Sequence, residues 1–449
     1  MRTPSIETER LLLRPLKFED YQEAYDRWTS DPDVAKFMLY NTHKSTEDTK
    51  EWLKTIEPDS DTAYDFAICV KDEDNYLCGS CGVYFSDKSN VWTVGYNLAK
   101  DHWRKGYGTE VMTALVNFLV KDLKVTAIEG RFAKGNEVSG HVLKKCGFEY
   151  VGEVEDFKLD GVTRHDCELL RYNVKGEKKL FKLSNGIEIE PIGFGTYLAN
   201  PGSVLKAAEA GYRYFDTASM YKNEEMVGEE LKASGIDRKD LFIASKIWPS
   251  EFGYEETFEA YERSINKLQT DYLDLYLMHW PILEGDKQWK SHLVNTWKAI
   301  CELYKEGKIK SIGVSNFLPH HLKLIEENSN ILPMVNQLEL HMGYLQEYAV
   351  EYCRERGIHA QAWSPLGRGK VREDKNVVRM AEKYLVSPEK LMLRFLNQQG
   401  ISIIPKTNNE ERMRDNLNIF DFTIEEYDMS FMKSLPQIGY SGEHPDFGM

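Results

Sequence analysis

LDLYLMHWPILEGDKQWKSHLVNTWKAICELYKEGKIKSIGVSNF, from Leu273 to Phe317, decides the fold of the larger part of the chain. Its ends, LDLYLMHW and KSIGVSNF, are short apolar runs bounded by turn residues, the pattern of buried strands. Between them, LVNTWKAICELYKEGK repeats its apolar residues at helical spacing. The alternation continues in both directions. Upstream lie IGFGTYL (192–198), YRYFDTA (212–218) and LFIASKIW (241–248); downstream lie MVNQLELH (334–341), HAQAWSPL (359–366) and ISIIPKT (401–407). Helix-like stretches separate them. Eight strand-and-helix units over about 270 residues are the signature of a (β/α)8 TIM barrel. The preceding KLFKLSNGIEIEP, with Asn185-Gly186 at its centre, reads as a hairpin that plugs the barrel's bottom.

The polar stretch RYNVKGEKKL (171–180) marks a seam between an alternating end, CELLRY, and the hairpin. A boundary within Val174 to Lys178 divides the chain into domains 1–173 and 178–449. With 449 residues, 42% hydrophobic and 12% aromatic, each part can build its own core. No apolar run approaches the roughly 20 residues of a membrane span. The start MRTPSIETER has no apolar signal core, so the expectation is a cytoplasmic protein with no membrane partner. The net charge of −15 is spread over both parts. That disfavours nucleic acid and suits cationic amine substrates. Seven scattered cysteines read as reduced thiols. Cys78 and Cys81 spell C-x-x-C, but no second pair or nearby histidine completes a ligand set, so they read as strand packing and no metal is expected. His320 and His321 open a polar helix and read as its solvated face.

Barrel enzymes carry catalytic groups at the carboxyl ends of their strands. Asp216 ends the second candidate strand, with Tyr221 in the loop after it; Lys246 ends the third and His279 the fourth. Together they suit proton donation to a carbonyl. A phenol titrates near 10 unaided, so it needs a nearby ammonium to stabilise its phenolate. Lys246 can supply that charge, Asp216 can hold the lysine, and a neutral His279 can orient the substrate oxygen. In KTNNEER (406–412), Lys406, Thr407 and Arg412 offer the ammonium, hydroxyl and guanidinium fork that a 2′-phosphate calls for. No G-x-G-x-x-G follows the first strand, which excludes a Rossmann reading.

GYRYFDTASMYKNEEMVGEEL, SKIW, LMHWP, GKIKSIGVSNF, NQLELH, AWSPLGRG and IPKTNNEERMRDN occur in the order found in the aldo-keto reductase family, and the chain resembles that family over 178–449. The resemblance implies Tyr221 as acid, Lys246 and Asp216 as its supporting pair, His279 as orienting residue, and NADPH as cofactor. It implies that Ser315, Asn316 and Gln337 hold the nicotinamide carboxamide. Trp363, where the family more often has tyrosine, stacks on the ring. Ser364 and Leu366 join the cofactor site, and Asp415 and Asn416 contact the adenine. Tyr197, Trp248 and Trp280 match pocket-lining aromatics, which implies a partly apolar site for a small aldehyde, ketone or keto-sugar acid.

In the first part, VWTVGYNLAKDHWRKGYGTEVMTALVNFLVKDL (91–123) is a strand, a glycine-bearing turn and an amphipathic helix. Gly106 and Gly108 let the turn aim N–H groups at an anion where the helix dipole also favours one. With IETERLLLRPLKFEDYQEAYDRWTSDPDVAKFM and IEGRFAKGNEVSGHVLKKCGFEYVGE, this part resembles the Gcn5-related N-acetyltransferases, in the branch that acetylates ribosomal-protein amino termini. The implied fold is an α+β acyl-CoA domain preceding the barrel. By that resemblance Trp103, Arg104, Lys105, Gly106, Gly108 and Thr109 bind the pyrophosphate of acetyl-CoA. Asn136 reaches the pantetheine arm, Ser139 protonates the departing thiolate, and backbone N–H groups near Leu98 hold the oxyanion. The acceptor is an amine or a protein N-terminus. Lys144 stands where relatives commonly have glutamate. A second reading of the whole chain is a reductase carrying a non-catalytic acyl-CoA-binding regulatory module.

Overall fold

The computed structural model describes residues 3–87, 89–158 and 160–447. Met1, Arg2, Lys88 and Leu159 of the first sequence-read domain, and Gly448 and Met449 of the second, lie outside the described residues. The chain divides into two compact units, Met1–Lys175 with Asp421–Glu425, and Gly176–Phe420 with Glu426–Met449.

The first unit is built on a mixed sheet. Its strands are β1 (Ile6–Glu7), β2 (Leu11–Pro15), β3 (Ala63–Val70), β4 (Tyr76–Ser86), β5 (Val91–Leu98), β6 (Ala127–Ala133), β7 (Glu149–Phe157) and β8 (Arg164–Asn173), in the spatial order β1-β2-β3-β4-β5-β6-β8-β7. Both faces of its centre are covered, which is why β3 reads AYDFAICV with little polar alternation. Tyr64, Phe66 and Ile68 point to one side, into a core with Val111, Leu115, Phe118 and Leu119 of the helix Tyr107–Lys121. Ala67 and Cys69 point to the other, against Trp28, Val34 and Leu53.

One departure from regular pairing matters for function. β5 and β6 run parallel and pair only at Trp92–Ile128, Thr93–Glu129 and Val94–Gly130. Beyond that β5 continues to Leu98 beside β4 and β6 to Ala133 beside β8 without pairing with each other, so a wedge opens between their carboxyl ends.

The second unit opens with the hairpin β9 (Phe181–Lys182) and β10 (Glu188–Ile189). Gly186 takes the turn at φ +90°, which an L side chain rarely adopts. The Asn185 side chain donates to the Lys310 carbonyl, and the Phe181 ring lies 4.8 Å from that of His359. Both contacts precede or begin barrel strands, so the hairpin sits at the strands' amino ends, as expected of a plug.

Each of the eight sequence-read segments carries a strand: β11 (Phe194–Gly195), β12 (Tyr214–Asp216), β13 (Phe242–Ile247), β14 (Leu275–Met278), β15 (Ile312–Ser315), β16 (Val335–Glu339), β17 (His359–Trp363) and β18 (Ser402–Ile404). All neighbours pair parallel and in sequence order. A parallel bridge from Ile192 to Ile403 brings the ends together, so the sheet is a nearly closed eight-stranded barrel. The quoted helical stretch forms the helix Trp289–Lys305, which buries Leu293, Trp297, Ile300 and Leu303 at spacings of three and four.

Among the described residues no helix is long and apolar enough to cross a membrane. Cys78 and Cys81 lie in β4 and are buried in the core of the first unit, where burial pushes the Cys78 thiol up to about 12.

Trp297 fills the space between its helix and the barrel and is 1% exposed, its indole N–H donating to the Ile331 carbonyl. Trp297→Ala leaves a cavity and an unpaired carbonyl, and is expected to cost about 3–5 kcal/mol. Denaturant unfolding followed by circular dichroism measures it; a loss under about 1 kcal/mol would show that the site collapses around the void.

Candidate active sites

The parallel register of the barrel places four chemically matched side chains at its carboxyl end. Asp216 ends β12, Lys246 lies near the end of β13, His279 follows β14 directly, and Tyr221 closes the single turn Ser219–Tyr221. Lys246 Nζ donates to Asp216 Oδ1 at 2.5 Å, to the Thr217 carbonyl at 3.0 Å and to Tyr221 Oη at 3.4 Å. The lysine is fully buried. Burial works against its charge, but the Asp216 carboxylate and the Tyr221 hydroxyl outweigh that and hold its pKa above the ordinary lysine value. Burial likewise pushes the Tyr221 phenol up, and the Lys246 charge pulls it back. The His279 ring meets those of Tyr221 and Trp248 edge-on, at 5.5 and 5.0 Å. Burial and then the Lys246 charge hold it well below the usual histidine range, so the imidazole is neutral.

Beside this set, Gln337 Nε2 donates to Asp216 Oδ2 at 2.8 Å. Ser315 Oγ donates to the Gln337 carbonyl at 2.9 Å, and Asn316 Nδ2 to the His279 carbonyl at 3.1 Å. The Trp363 indole N–H donates to Asn316 Oδ1 at 2.7 Å. The tryptophan that stands where tyrosine is usual therefore has a use for its nitrogen.

These groups open on a cavity of about 800 Å³. Its wall includes Tyr197, Asp216, Tyr221, His279 and Trp280, together with Ser315, Asn316, Gln337, Trp363, Ser364 and Leu366, and with Lys406, Thr407, Arg412, Asp415 and Asn416. Trp248 is not part of that wall and contributes through its contact with His279. Sequence reading missed Arg368 and Glu443, which also line the cavity and pair at 2.8 Å. Lys406 and Arg412 have no acidic partner among the described residues, and burial lowers the Lys406 pKa. A cavity of about 800 Å³ whose wall carries several amides and two unpaired cations fits a dinucleotide carrying an extra phosphate.

In the first unit, Trp103 to Gly106 form the turn and Gly108 and Thr109 lie in the first turn of the helix it leads into. Gly106 stands at φ +85°. The first helical bond runs from the Glu110 N–H to the Gly106 carbonyl, which leaves the preceding amides free to face an anion. The Trp103 indole N–H donates to the Leu98 carbonyl at 2.8 Å. Glu110 accepts from the Thr8 hydroxyl, the Arg10 N–H and the Arg10 guanidinium, and so ties the start of the helix to β2.

Asn136 and Ser139 sit at the start of the helix Glu137–Lys145. At that helix's end, the Cys146 thiol donates to the Thr109 carbonyl at 3.7 Å. Tyr96, on the end of β5 that pairs with β4 but not with β6, was not picked out from sequence. Burial pushes its phenol up while a hydrogen bond with Ser139 acts in the other direction, and a Cβ on Gly108 would stand 2.9 Å from its hydroxyl. A second cavity of about 600 Å³ adjoins this region, and of the sequence-read residues Gly106 and Thr109 line it. Open helix amides beside the edge of β5 that β6 leaves uncovered fit an extended thioester with a pyrophosphate. Lys144 lies 3.8 Å from Glu168.

The reading of His320 and His321 as a solvated face needs correction. His320 is exposed, but His321 is fully buried, between the edges of Trp289 and Phe317. The reason is capping: its Nδ1 accepts from the Leu318 N–H at 3.1 Å, which folds the ring under the helix start. The ligand atoms of His320, His321 and Asp446 lie within 4.8 Å of one another. The capping bond uses the Nδ1 lone pair, so a neutral His321 carries its proton on Nε2, which suits a hydrogen-bonded clip better than a metal site.

Comparison with known proteins agrees with this geometry. Residues 202–436 match the model of the aldo/keto reductase family, and residues 10–149 match that of the acetyltransferase (GNAT) domain. The chain is 43% identical over 274 residues to glyoxal reductase of Bacillus subtilis, covering 60% of this chain and 97% of that protein. It is 38% identical to methylglyoxal reductase DkgA of Escherichia coli K12, with the same two coverages. Among solved structures, an aldo/keto reductase from Brucella melitensis is 38% identical with a TM-score of 0.54, covering 57% of this chain and 99% of its own.

Removing Asp216 would leave a buried, unpaired ammonium. Asp216→Leu is expected to destabilise the chain by about 3–5 kcal/mol at neutral pH. The pH dependence should differ in sign. In the wild type the raised pKa of Lys246 gives stability that is complete below the ordinary lysine value and is lost as pH rises through the raised one. In the variant burial depresses that pKa, so stability rises with pH towards the ordinary value. Denaturant unfolding from pH 7 to 11 measures both, and parallel curves would contradict the pairing.

Proposed function

Because this chain belongs to the aldo/keto reductase family, we propose that its domain 178–449 reduces a small aldehyde, ketone or keto-sugar acid to the alcohol with NADPH. We propose also that domain 1–173 transfers an acetyl group from acetyl-CoA to an amine or a protein N-terminus, which makes the chain bifunctional. The observation that carries the first reading is the buried Lys246, bonded at once to Asp216 and Tyr221, which line a cavity of about 800 Å³.

NADPH, when bound, supplies the hydride. The chain supplies the proton and the geometry. Tyr221 donates its proton to the carbonyl oxygen, and the Lys246 ammonium stabilises the phenolate left behind. Asp216 keeps the lysine charged, and neutral His279 orients the oxygen without competing for the proton. Ser315, Asn316 and Gln337 hold the carboxamide, Trp363 offers a flat face, and Ser364 and Leu366 border it. Asn416 lies towards the adenine. Lys406, Thr407 and Arg412 meet the 2′-phosphate, which favours NADPH over NADH. Tyr197 and Trp280 line the apolar part of the pocket, and Trp248 backs it through its contact with His279. The glyoxal and methylglyoxal reductases among its relatives support an α-oxoaldehyde as assay substrate.

For the first domain, acetyl-CoA supplies the thioester. The turn Trp103 to Thr109 receives its pyrophosphate, Asn136 reaches its pantetheine, amides near Leu98 hold the oxyanion, and Ser139 protonates the thiolate. The open wedge between β5 and β6 supports this reading. The test is CoA release with a serine-initiated peptide and with spermidine as acceptors. Acetyl-CoA binding without release for any acceptor assigns the domain instead as a regulatory acyl-CoA-binding module.

For the reductase, Tyr221→Phe removes the proton and keeps the ring. It is expected to lower NADPH-dependent methylglyoxal reduction about a hundredfold or more while NADPH still quenches the intrinsic fluorescence with wild-type affinity. Retained turnover would remove Tyr221 from the role of acid.

A further inference from the structure

Behind the catalytic pair a line of buried polar groups runs into the barrel. Gln337 Nε2 donates to Asp216 Oδ2 at 2.8 Å and to Gln361 Oε1 at 2.7 Å. Tyr214 Oη donates to the same Gln361 oxygen at 3.0 Å. Gln361 Nε2 donates to Ser402 Oγ at 3.0 Å, and Ser402 meets His359 Nε2 at 2.9 Å. Gln361, Ser402 and Tyr214 are wholly buried and Gln337 nearly so. Buried polar groups must find partners, and here those partners set direction.

The ionised Asp216 only accepts, so Gln337 must turn its NH2 end towards it. The second hydrogen of that NH2 needs an acceptor, which obliges Gln361 to present its oxygen. The Tyr214 hydroxyl converges on that oxygen too, and Ser402 accepts from the NH2 at the other end. A rotated Gln361 would set its NH2 against that of Gln337, two donors with no acceptor between them. Gln337 lines the cavity, and its Oε1 has no partner among the described residues. With both N–H bonds used internally, what it offers the cavity is a carbonyl oxygen.

We infer that Gln361, backed by Ser402 and Tyr214, is a positioning residue that locks the Gln337 amide with its oxygen towards the cavity, so that the site selects a cofactor ring bearing an N–H donor over one bearing an acceptor alone. The inference rests on the NADPH reading above. Gln361 touches neither cofactor nor substrate and acts through Gln337.

The test compares binding of NADPH with that of reduced 3-acetylpyridine adenine dinucleotide phosphate, whose methyl ketone replaces the carboxamide and has no N–H. Both are followed on the full chain by tryptophan quenching, without turnover. The wild type should prefer NADPH about tenfold, the worth of one buried hydrogen bond. Gln361→Leu, which leaves the Gln337 amide held by Asp216 alone, should reduce the preference to about twofold or less, and Ser402→Ala should reduce it in part. Gln361→Glu keeps an acceptor facing Gln337 and should preserve it. Should Gln361→Leu fail to fold, the serine and glutamate variants decide. An unchanged preference in folded Gln361→Leu or Ser402→Ala, or its loss in Gln361→Glu, overturns the proposal. A wild type that binds both dinucleotides equally well does so too. One that binds neither removes the NADPH reading beneath it.

Discussion

A fully buried ammonium can exist only beside a carboxylate, and the barrel is arranged around that requirement at Lys246. Asp216 answers it with one oxygen and turns the other to Gln337, so the charge pair fixes an amide that lines the cavity. Burial first and the same ammonium second hold His279 neutral, and the ammonium works against the burial that raises the Tyr221 phenol. Proton donor, orienting ring and amide cradle thus answer to one electrostatic source. Folding must bring β12, β13 and β16 together before that source is compensated, because Asp216, Lys246 and Gln337 lie on three different strands.

The first unit solves a different problem, the exposure of backbone. Where β5 and β6 stop pairing with each other, their facing edges lose ladder partners, and a helix start leaves amides open as well. Both sets lie in one unit whose ends are tied by Glu110 to Thr8 and Arg10. Unpaired backbone held this firmly in place is suited to a ligand that brings its own hydrogen-bonding groups.

Much of this was legible in the sequence, for identifiable reasons. Parallel strands buried on both faces read as unbroken apolar runs, so all eight barrel strands could be marked from their composition. Asp216, Lys246 and His279 stood out because each follows such a run immediately. What stayed hidden depended on three-dimensional neighbours. Gln361 in HAQAW looks like ordinary strand alternation, and only the barrel interior turns it towards Gln337. His321 read as polar surface because a ring that caps its own helix start leaves no trace in periodicity. Tyr96 lies in a strand whose loss of pairing is a property of the sheet. Glu443 reaches the cavity from a tail with neither period nor motif, by pairing with Arg368.

The contact between Gly108 and Tyr96 has a consequence for how such chains diverge. A methyl group at position 108 would meet the Tyr96 hydroxyl at 2.9 Å, closer than carbon and oxygen comfortably stand. Position 108 therefore cannot drift alone while the Tyr96 ring stays where it is. An alanine at 108 is admissible only in a lineage where position 96 has already become smaller or its ring has swung aside, and a return to tyrosine at 96 is then barred until the glycine comes back. The order of the two substitutions is constrained by sterics, a one-way gate in the chain's mutational history.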